Sequence, residues 1–268
     1  MNDKAIVTLL IGDAVRRLWT DHMEKGWRIY AAKHGFDLVL IDEFIDKSAL
    51  ARARAPHWQK CLVLQHPRVA PYKHAVWVDA DIAINHFTAP SVVAAVRGDK
   101  VGCVIAGGGG GPNGTYAKYG VASSTDRQTN SGVLVLQPAR HAEMMDWVYR
   151  NYEENDHSAK ENVPLSFHLL ENDLAEPIDP RFNVDWTGVI LRDYPFLVNL
   201  LNPDRDILVP YCVHVAWAKS YFLHFINQSI DIGIPGRKYS TRQDVEFLVQ
   251  DELNPMGLAP PRRAKVTP

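Results

Sequence analysis

The stretch Ala75-Val76-Trp77-Val78-Asp79-Ala80-Asp81-Ile82-Ala83-Ile84-Asn85 decides how this chain is read. Its first half is apolar without alternation, the pattern of a strand buried on both faces inside a parallel sheet. The run then presents two carboxylates one residue apart. Open α/β sheets bind ligands outside the carboxyl ends of their strands, so Asp79 and Asp81 stand where a cation or charged ligand would be met. The spacing alone is weak, because Asp204-Arg205-Asp206 repeats it. That second pair follows Asn202-Pro203, in a polar turn where carboxylates face water or satisfy turn amides. The other reading of Asp79 and Asp81 is that they cap the turn after the strand.

Upstream, strand and helix patterns alternate. Ala5 to Leu10 reads as a first buried strand, stopped by Ile11-Gly12-Asp13. Asp13 is an N-cap candidate, after which Val15, Trp19, Met23, Trp27 and Tyr30/Ala31 recur every three or four residues, as one face of an amphipathic helix requires. Gly35 suits the residue just past its end. Asp37 to Asp42 is the second strand, and Pro56 to Leu64 a helix set on the sheet by Trp58, Cys61 and Leu62. This order implies right-handed βαβ crossovers and an α/β, Rossmann-like architecture with a mostly parallel central sheet flanked by helices.

Downstream, Pro90 to Arg97 reads as a short helix and Val101 to Ala106 as a strand. Gly107 to Gly111 with Pro112-Asn113-Gly114 reads as a loop able to serve as a lid, since glycine loses the most backbone entropy on ordering. Asn130-Ser131-Gly132 leads into a strand from Val133 to Leu136. A helix from Pro138 through Tyr152 and another from about Ala159 to Leu170 follow. Asp206 to Val209 and Tyr211 to Val215 read as late strands that return the chain to the carboxyl edge. One domain over residues 1–253 is the simplest count, with the proline-bearing 254–268 as a poorly ordered tail.

The 268 residues are 46% hydrophobic and 22% charged, enough to bury a substantial core and too apolar for a disordered chain. A formal net charge of -2 gives no electrostatic case for nucleic acid or an anionic membrane as partner. Cys61, Cys103 and Cys212 form no close pair and sit among apolar residues, against a disulfide framework or a zinc knuckle. A cytoplasmic location fits, and neither a signal peptide nor a transmembrane run is read.

Taken in order, Asp79-Ala80-Asp81, Asn130-Ser131-Gly132-Val133, Glu161-Asn162-Val163-Pro164-Leu165-Ser166 and Val213-His214 resemble the motifs of nucleotide-sugar glycosyltransferases of GT-A fold. Within these the chain is similar to the group of glycogenin, galactinol synthase and bacterial lipopolysaccharide galactosyltransferases, and to the related yeast-type galactosyl/mannosyltransferases. The resemblance implies a hexosyltransferase that moves a hexose from a nucleotide-sugar donor, a UDP-sugar first of all, to a glycan or other hydroxyl acceptor with retention. It implies manganese or magnesium held by the Asp-x-Asp motif: Asp81 as direct ligand, Asp79 touching both metal and ribose, and His214 completing the set. Thr8, Lys60, Ala80 and Asn130 fall to donor binding, and Glu161 and Asn162 to the transferred sugar as the catalytic pair. Two departures stand out. After His214 the chain runs Val215-Ala216-Trp217-Ala218-Lys219-Ser220 where the group often has Gly-x-x-Lys-Pro-Trp, and Asn162 replaces the common glutamine.

The chemistry wants these residue types, because a nucleoside diphosphate leaving group gathers negative charge that a bridging cation stabilises. Simpler readings of the same residues stay open. His214 also fits a hydrogen-bonded core histidine, Glu161 a first-turn helix acid, Lys60 a solvated helix position and Asn130 a turn residue. Trp186 and Trp217 fit either the core or an acceptor-stacking edge. Two other functions remain, a sugar-nucleotide nucleotidyltransferase and a non-catalytic nucleotide-sugar or glycan-binding module. The first is disfavoured by Ile11-Gly12-Asp13-Ala14-Val15-Arg16-Arg17, which lacks the glycine-rich, arginine-containing loop of such enzymes.

Overall fold

The central strands carry runs of consecutive apolar residues, such as Ala5 to Val7, Ala75 to Val78 and Val133 to Leu136, because both their faces are covered. In the computed structural model of the protein, which describes residues 2–107, 127–153, 161–185 and 213–225, β1 (Lys4–Leu9), β2 (Asp37–Ile41), β3 (His74–Val78), β5 (Val101–Gly107), β6 (Arg127–Leu136) and β7 (Ala175–Pro177) form a six-stranded sheet in the order β2-β1-β3-β6-β5-β7. β1 runs parallel to β2 and β3, and β7 parallel to β5, while β6 runs against both its neighbours. The sheet is thus mostly parallel with β6 reversed. Alternate residues feed two cores. Ile6, Val76, Val78, Val133 and Val135 face one, and Ala5, Val7, Ala75, Trp77, Leu134 and Leu136 face the other.

The first core is closed by the helical segment after β1. The sequence pattern predicts one helix with Asp13 as cap, but the segment is α1 (Asp13–Leu18), a π-helical turn over Trp19–Met23, and α2 (Glu24–His34). The apolar positions Val15, Trp19, Met23 and Trp27 are four apart, so on a regular helix each would drift by about 40° from the last. A wider π turn absorbs that drift and keeps Trp19, Met23 and Trp27 buried on one side. Gly12, with φ 93°, takes the cap position in place of Asp13, which lies in the first turn where its charge favours the helix dipole. Gly35 ends α2 in the left-handed conformation expected of it, with φ 68°.

The second core is covered by Pro56–Gln65, α4 (Pro138–Asn151) and α5 (Asn162–Glu171), with Leu50 of the short α3 (Ala49–Arg52) packed against it. The helix expected from Pro56 to Leu64 is of 3-10 type over Pro56–Gln65, packed on the sheet by Trp58, Cys61 and Leu62, and every residue from Trp58 to Leu64 is buried. Between Pro90 and Arg97 only Val92–Ala95 is helical. β4 (Ile82–Ile84), β8 (Val184–Asp185) and β9 (Phe222–His224) make a second, three-stranded sheet in the order β4-β9-β8. This small sheet positions the site. Residues 213–218 are helical, not the strand read from Tyr211 to Val215. Residues 108–114 of the glycine-rich loop, Trp186, the turn around Asp204, the strand from Asp206 to Val209 and the tail lie outside the described residues. Among the described residues no helix is long and apolar enough to cross a membrane.

Candidate active site

The turn after β3 carries the two aspartates, and its backbone closes without them. The Ile82 amide donates to the Asp79 carbonyl at 3.1 Å, and the Asp79 amide donates to the Gly132 carbonyl at 2.8 Å. The carboxylates are therefore not needed as caps. Trp27 Nε1 donates to the Ile82 carbonyl at 2.7 Å, tying α2 to the start of β4. β9 pairs antiparallel with β4 so that Ile82 lies opposite His224, and the Phe225 amide donates to the Asp81 carbonyl at 3.0 Å. That register sets an imidazole beside the aspartates.

One oxygen of Asp79, one of Asp81 and one ring nitrogen of His224 all lie within 4.8 Å of one another. His224 Nε2 is 3.3 Å from Asp81 Oδ1 and 3.8 Å from Asp79 Oδ2. Its other nitrogen, Nδ1, meets Asn183 Oδ1 at 2.9 Å. Asp79 divides its two oxygens, with Oδ1 accepting from Trp77 Nε1 at 2.7 Å and pairing with Lys60 Nζ at 3.1 Å, and Oδ2 turned towards the histidine. Two carboxylates and one imidazole fit a hard divalent cation such as manganese or magnesium, and the ring nitrogen turned to the carboxylates is the one that could ligate it.

His224, not His214, stands in this cluster. His214 lies on the helical stretch 213–218, outside the group of Asp79, Asp81 and His224. The expectation that His214 is the third ligand is corrected on that ground. A signal for His224 was present in Tyr221-Phe222-Leu223-His224-Phe225, an apolar run ending in an imidazole much as Tyr211 to His214 does. What separates the two is strand pairing.

Lys60 is not a solvated helix residue. It is 2% exposed, and its ammonium bridges Asp79 at 3.1 Å and Glu161 at 2.7 Å while donating to Ser131 Oγ at 3.1 Å. It also lies over the Trp77 ring. Burial by itself would lower the Lys60 ammonium, but Asp79 and Glu161 outweigh it and hold the group above its usual range. Burial pushes the Asp79 carboxyl up, yet Lys60 and then His224 pull it below the ordinary value. Burial likewise disfavours the His224 cation, and Asp81 followed by Asp79 raises the ring above its ordinary value.

Glu161 precedes α5 and is 3% exposed, so it is no ordinary first-turn acid in water. It accepts from Ser131 Oγ at 3.2 Å as well as pairing with Lys60. Asn162 Oδ1 accepts from the Ser131 amide at 2.7 Å. Ser131 thus joins Lys60, Glu161 and Asn162, a role the sequence reading did not give it. Asn130 lies within β6 rather than in a turn before it. Here β6 bulges, because Cys103 of β5 pairs with Leu134 while Val104 pairs with Asn130, so Ser131, Gly132 and Val133 are passed over. Within the bulge Asn130 Oδ1 accepts from the Gly132 amide at 2.9 Å. Gly132 is required by crowding, since a Cβ there would lie 2.6 and 2.8 Å from atoms of the His224 ring. Ala80 is buried between the aspartates. Thr8 follows Val7, which pairs with Trp77, and its buried hydroxyl has no hydrogen-bond partner among the described residues. Trp217 belongs to the first core.

No protein-family model matches the chain, and no curated protein matches it. Solved structures do resemble it. One is a glycosyltransferase involved in the glycosylation of the major capsid of PBCV-1, with a TM-score of 0.53 and 12% identity over 90% of this chain and 98% of that one. Another is the galactosyltransferase LgtC, in complex with donor and acceptor sugar analogues, with a TM-score of 0.50 and 12% identity over 91% of this chain and 94% of that one. At such identity the likeness is one of fold, and it is the α/β, GT-A glycosyltransferase fold expected from the sequence.

Proposed function

We propose that this chain is a metal-dependent glycosyltransferase that moves a hexose from a nucleotide sugar, a UDP-sugar in the first instance, to an acceptor hydroxyl with retention of configuration. The observation that carries this reading is the Asp79, Asp81 and His224 cluster at the carboxyl end of β3, in a fold shared with glycosyltransferases. Retention enters through the resemblance of the motifs to a retaining group. Asp79, Asp81 and His224 would hold manganese or magnesium, which when bound neutralises the charge growing on the departing diphosphate. Lys60 holds Asp79 in place and keeps a permanent positive charge behind the aspartates. Glu161 anchors Lys60, and Ser131 with Asn162 fixes the bulged edge of β6 on which Asn130 sits. Asn130, Ala80 and Thr8 are assigned to the donor side, and Glu161 with Asn162 to the wall facing the transferred sugar.

The test is incubation with a panel of nucleotide sugars, with manganese or a chelator, and detection of released nucleoside diphosphate. Release that needs metal and disappears in Asp81→Asn supports the proposal. Metal-independent release would remove the cation from the reading, and release of pyrophosphate would point to nucleotidyl transfer. Donor binding without turnover, across a set of acceptors, would make the chain a binding module.

A further inference from the structure

Asn183 sits at the end of a 3-10 turn over Pro180–Asn183, immediately before β8. β8 and β9 pair in parallel, with Val184 against Leu223 and Asp185 against His224. This brings the Asn183 side chain, 6% exposed, to the back of the His224 ring. The amide is held at both ends. Its Nδ2 donates to the Asn130 carbonyl at 3.3 Å, and its Oδ1 meets His224 Nδ1 at 2.9 Å.

The orientation of an asparagine amide has to be argued from its partners. A backbone carbonyl only accepts, so the group facing Asn130 must be the NH2 and the group facing His224 must be the oxygen. An oxygen there can only accept, so His224 Nδ1 must carry a proton. The neutral ring is then the Nδ1–H tautomer, with the Nε2 lone pair directed at Asp81 and Asp79. A neutral Nε2–H ring would place two acceptors face to face at 2.9 Å in a buried site and block Nε2 with its own proton, whereas an Nδ1–H ring turns its Nε2 lone pair to Asp81 at 3.3 Å, a contact that a proton or a bound cation would bridge.

We propose that Asn183 is a positioning residue which fixes the tautomer and the orientation of His224, so that Nε2 is the ligating atom. It acts through His224 and touches neither donor nor cation. The Asn130 carbonyl makes it a bridge between β6 and the ring, so the histidine is held on the same bulge that carries the donor-side residues. The proposal rests on the metal-site reading above for its consequence but not for its geometry.

Two readouts test it on the full chain. The ring nitrogens of His224 are observed by 15N NMR in the metal-free protein at a pH that keeps the ring neutral. Manganese affinity in the presence of a nucleoside diphosphate is measured by calorimetry. The parent should show Nδ1–H. Asn183→Leu, which removes the acceptor, should shift the ring towards Nε2–H and weaken manganese roughly 10- to 100-fold, the usual cost of disturbing a partner behind a metal ligand. Asn183→Asp keeps an acceptor for Nδ1 but loses the donor to the Asn130 carbonyl, so it should retain the parent tautomer and bind manganese more tightly than Asn183→Leu. An Nε2–H ring in the parent overturns the proposal without any variant. So does an Asn183→Leu protein with unchanged tautomer and affinity, or an Asn183→Asp protein as impaired as Asn183→Leu. A parent that binds no manganese yet shows the expected tautomers would overturn the metal site and leave Asn183 in control of the ring.

Discussion

Replacing Lys60 by methionine keeps much of the side-chain length and removes one charge from the densest ionic cluster among the described residues. The ammonium lies 2.7 Å from Glu161 Oε1 and 3.1 Å from Asp79 Oδ1, and Glu161 is only 3% exposed. Without Lys60, the Glu161 carboxylate is left buried with the Ser131 hydroxyl as its remaining hydrogen-bond donor in this network. Losing one partner of a buried pair costs about 3–5 kcal/mol, because the other charge stays desolvated. The Asp79 side chain, 25% exposed, can turn to water and adds little to that cost. Against a total stability of about 5–15 kcal/mol the change is large. Lys60→Met/Glu161→Gln removes both charges and should recover most of the loss, so the two substitutions couple strongly in a double-mutant cycle. Urea unfolding followed by tryptophan fluorescence measures all four proteins. A Lys60→Met chain within about 1 kcal/mol of the parent would refute the argument, since that is the scale of a solvated lysine in a surface pair. A double variant no more stable than Lys60→Met would refute it equally.

Three further outcomes follow from the site. His224→Ala should weaken manganese binding, whereas His214→Ala should leave it at the parent value; calorimetry on both variants decides, and the reverse result would restore His214 as ligand. Gly132→Ala drives a methyl against the His224 ring and should cost about 1–3 kcal/mol of stability as an overpacked position. Thermal melts should show that cost shrinking when His224→Ala is added, and a Gly132→Ala protein as stable as the parent would contradict the packing. The third concerns pH. The His224 ring titrates above its ordinary 6.5, so its pairing with the aspartates stabilises the metal-free protein fully below 6.5 and is lost as pH rises through the raised value. Manganese affinity should move the other way across that window, rising as the proton leaves. Melting curves and metal titrations over a pH series check both slopes, and a flat affinity would separate the ring from the metal.

The sequence alone determined the layered architecture, because a strand buried on both faces has to be apolar at consecutive positions, as Ala5 to Val7 and Ala75 to Val78 are. It also located Asp79 and Asp81, since a carboxylate that ends such a run has few places to go but the sheet edge. Gly35 was legible for an equally local reason, the left-handed backbone that closes α2. The tertiary structure decided everything that depends on register across long separations. His214 and His224 carry similar local signals, and only the pairing of β9 with β4, more than a hundred residues apart, sets one ring against the aspartates. For Lys60 the sequence left a donor-side role and a solvated helix position both open, whereas in the folded chain Trp58 to Leu64 are all buried and the lysine draws its charge balance from Asp79, just after β3, and Glu161, just before α5. The bulge at Ser131 to Val133 and the need for Gly132 were hidden for the same reason. Periodicity reports what a residue's own element buries. Pairing, bulges and close approach depend on which distant atoms arrive on the other side, and that is fixed only when the chain has folded.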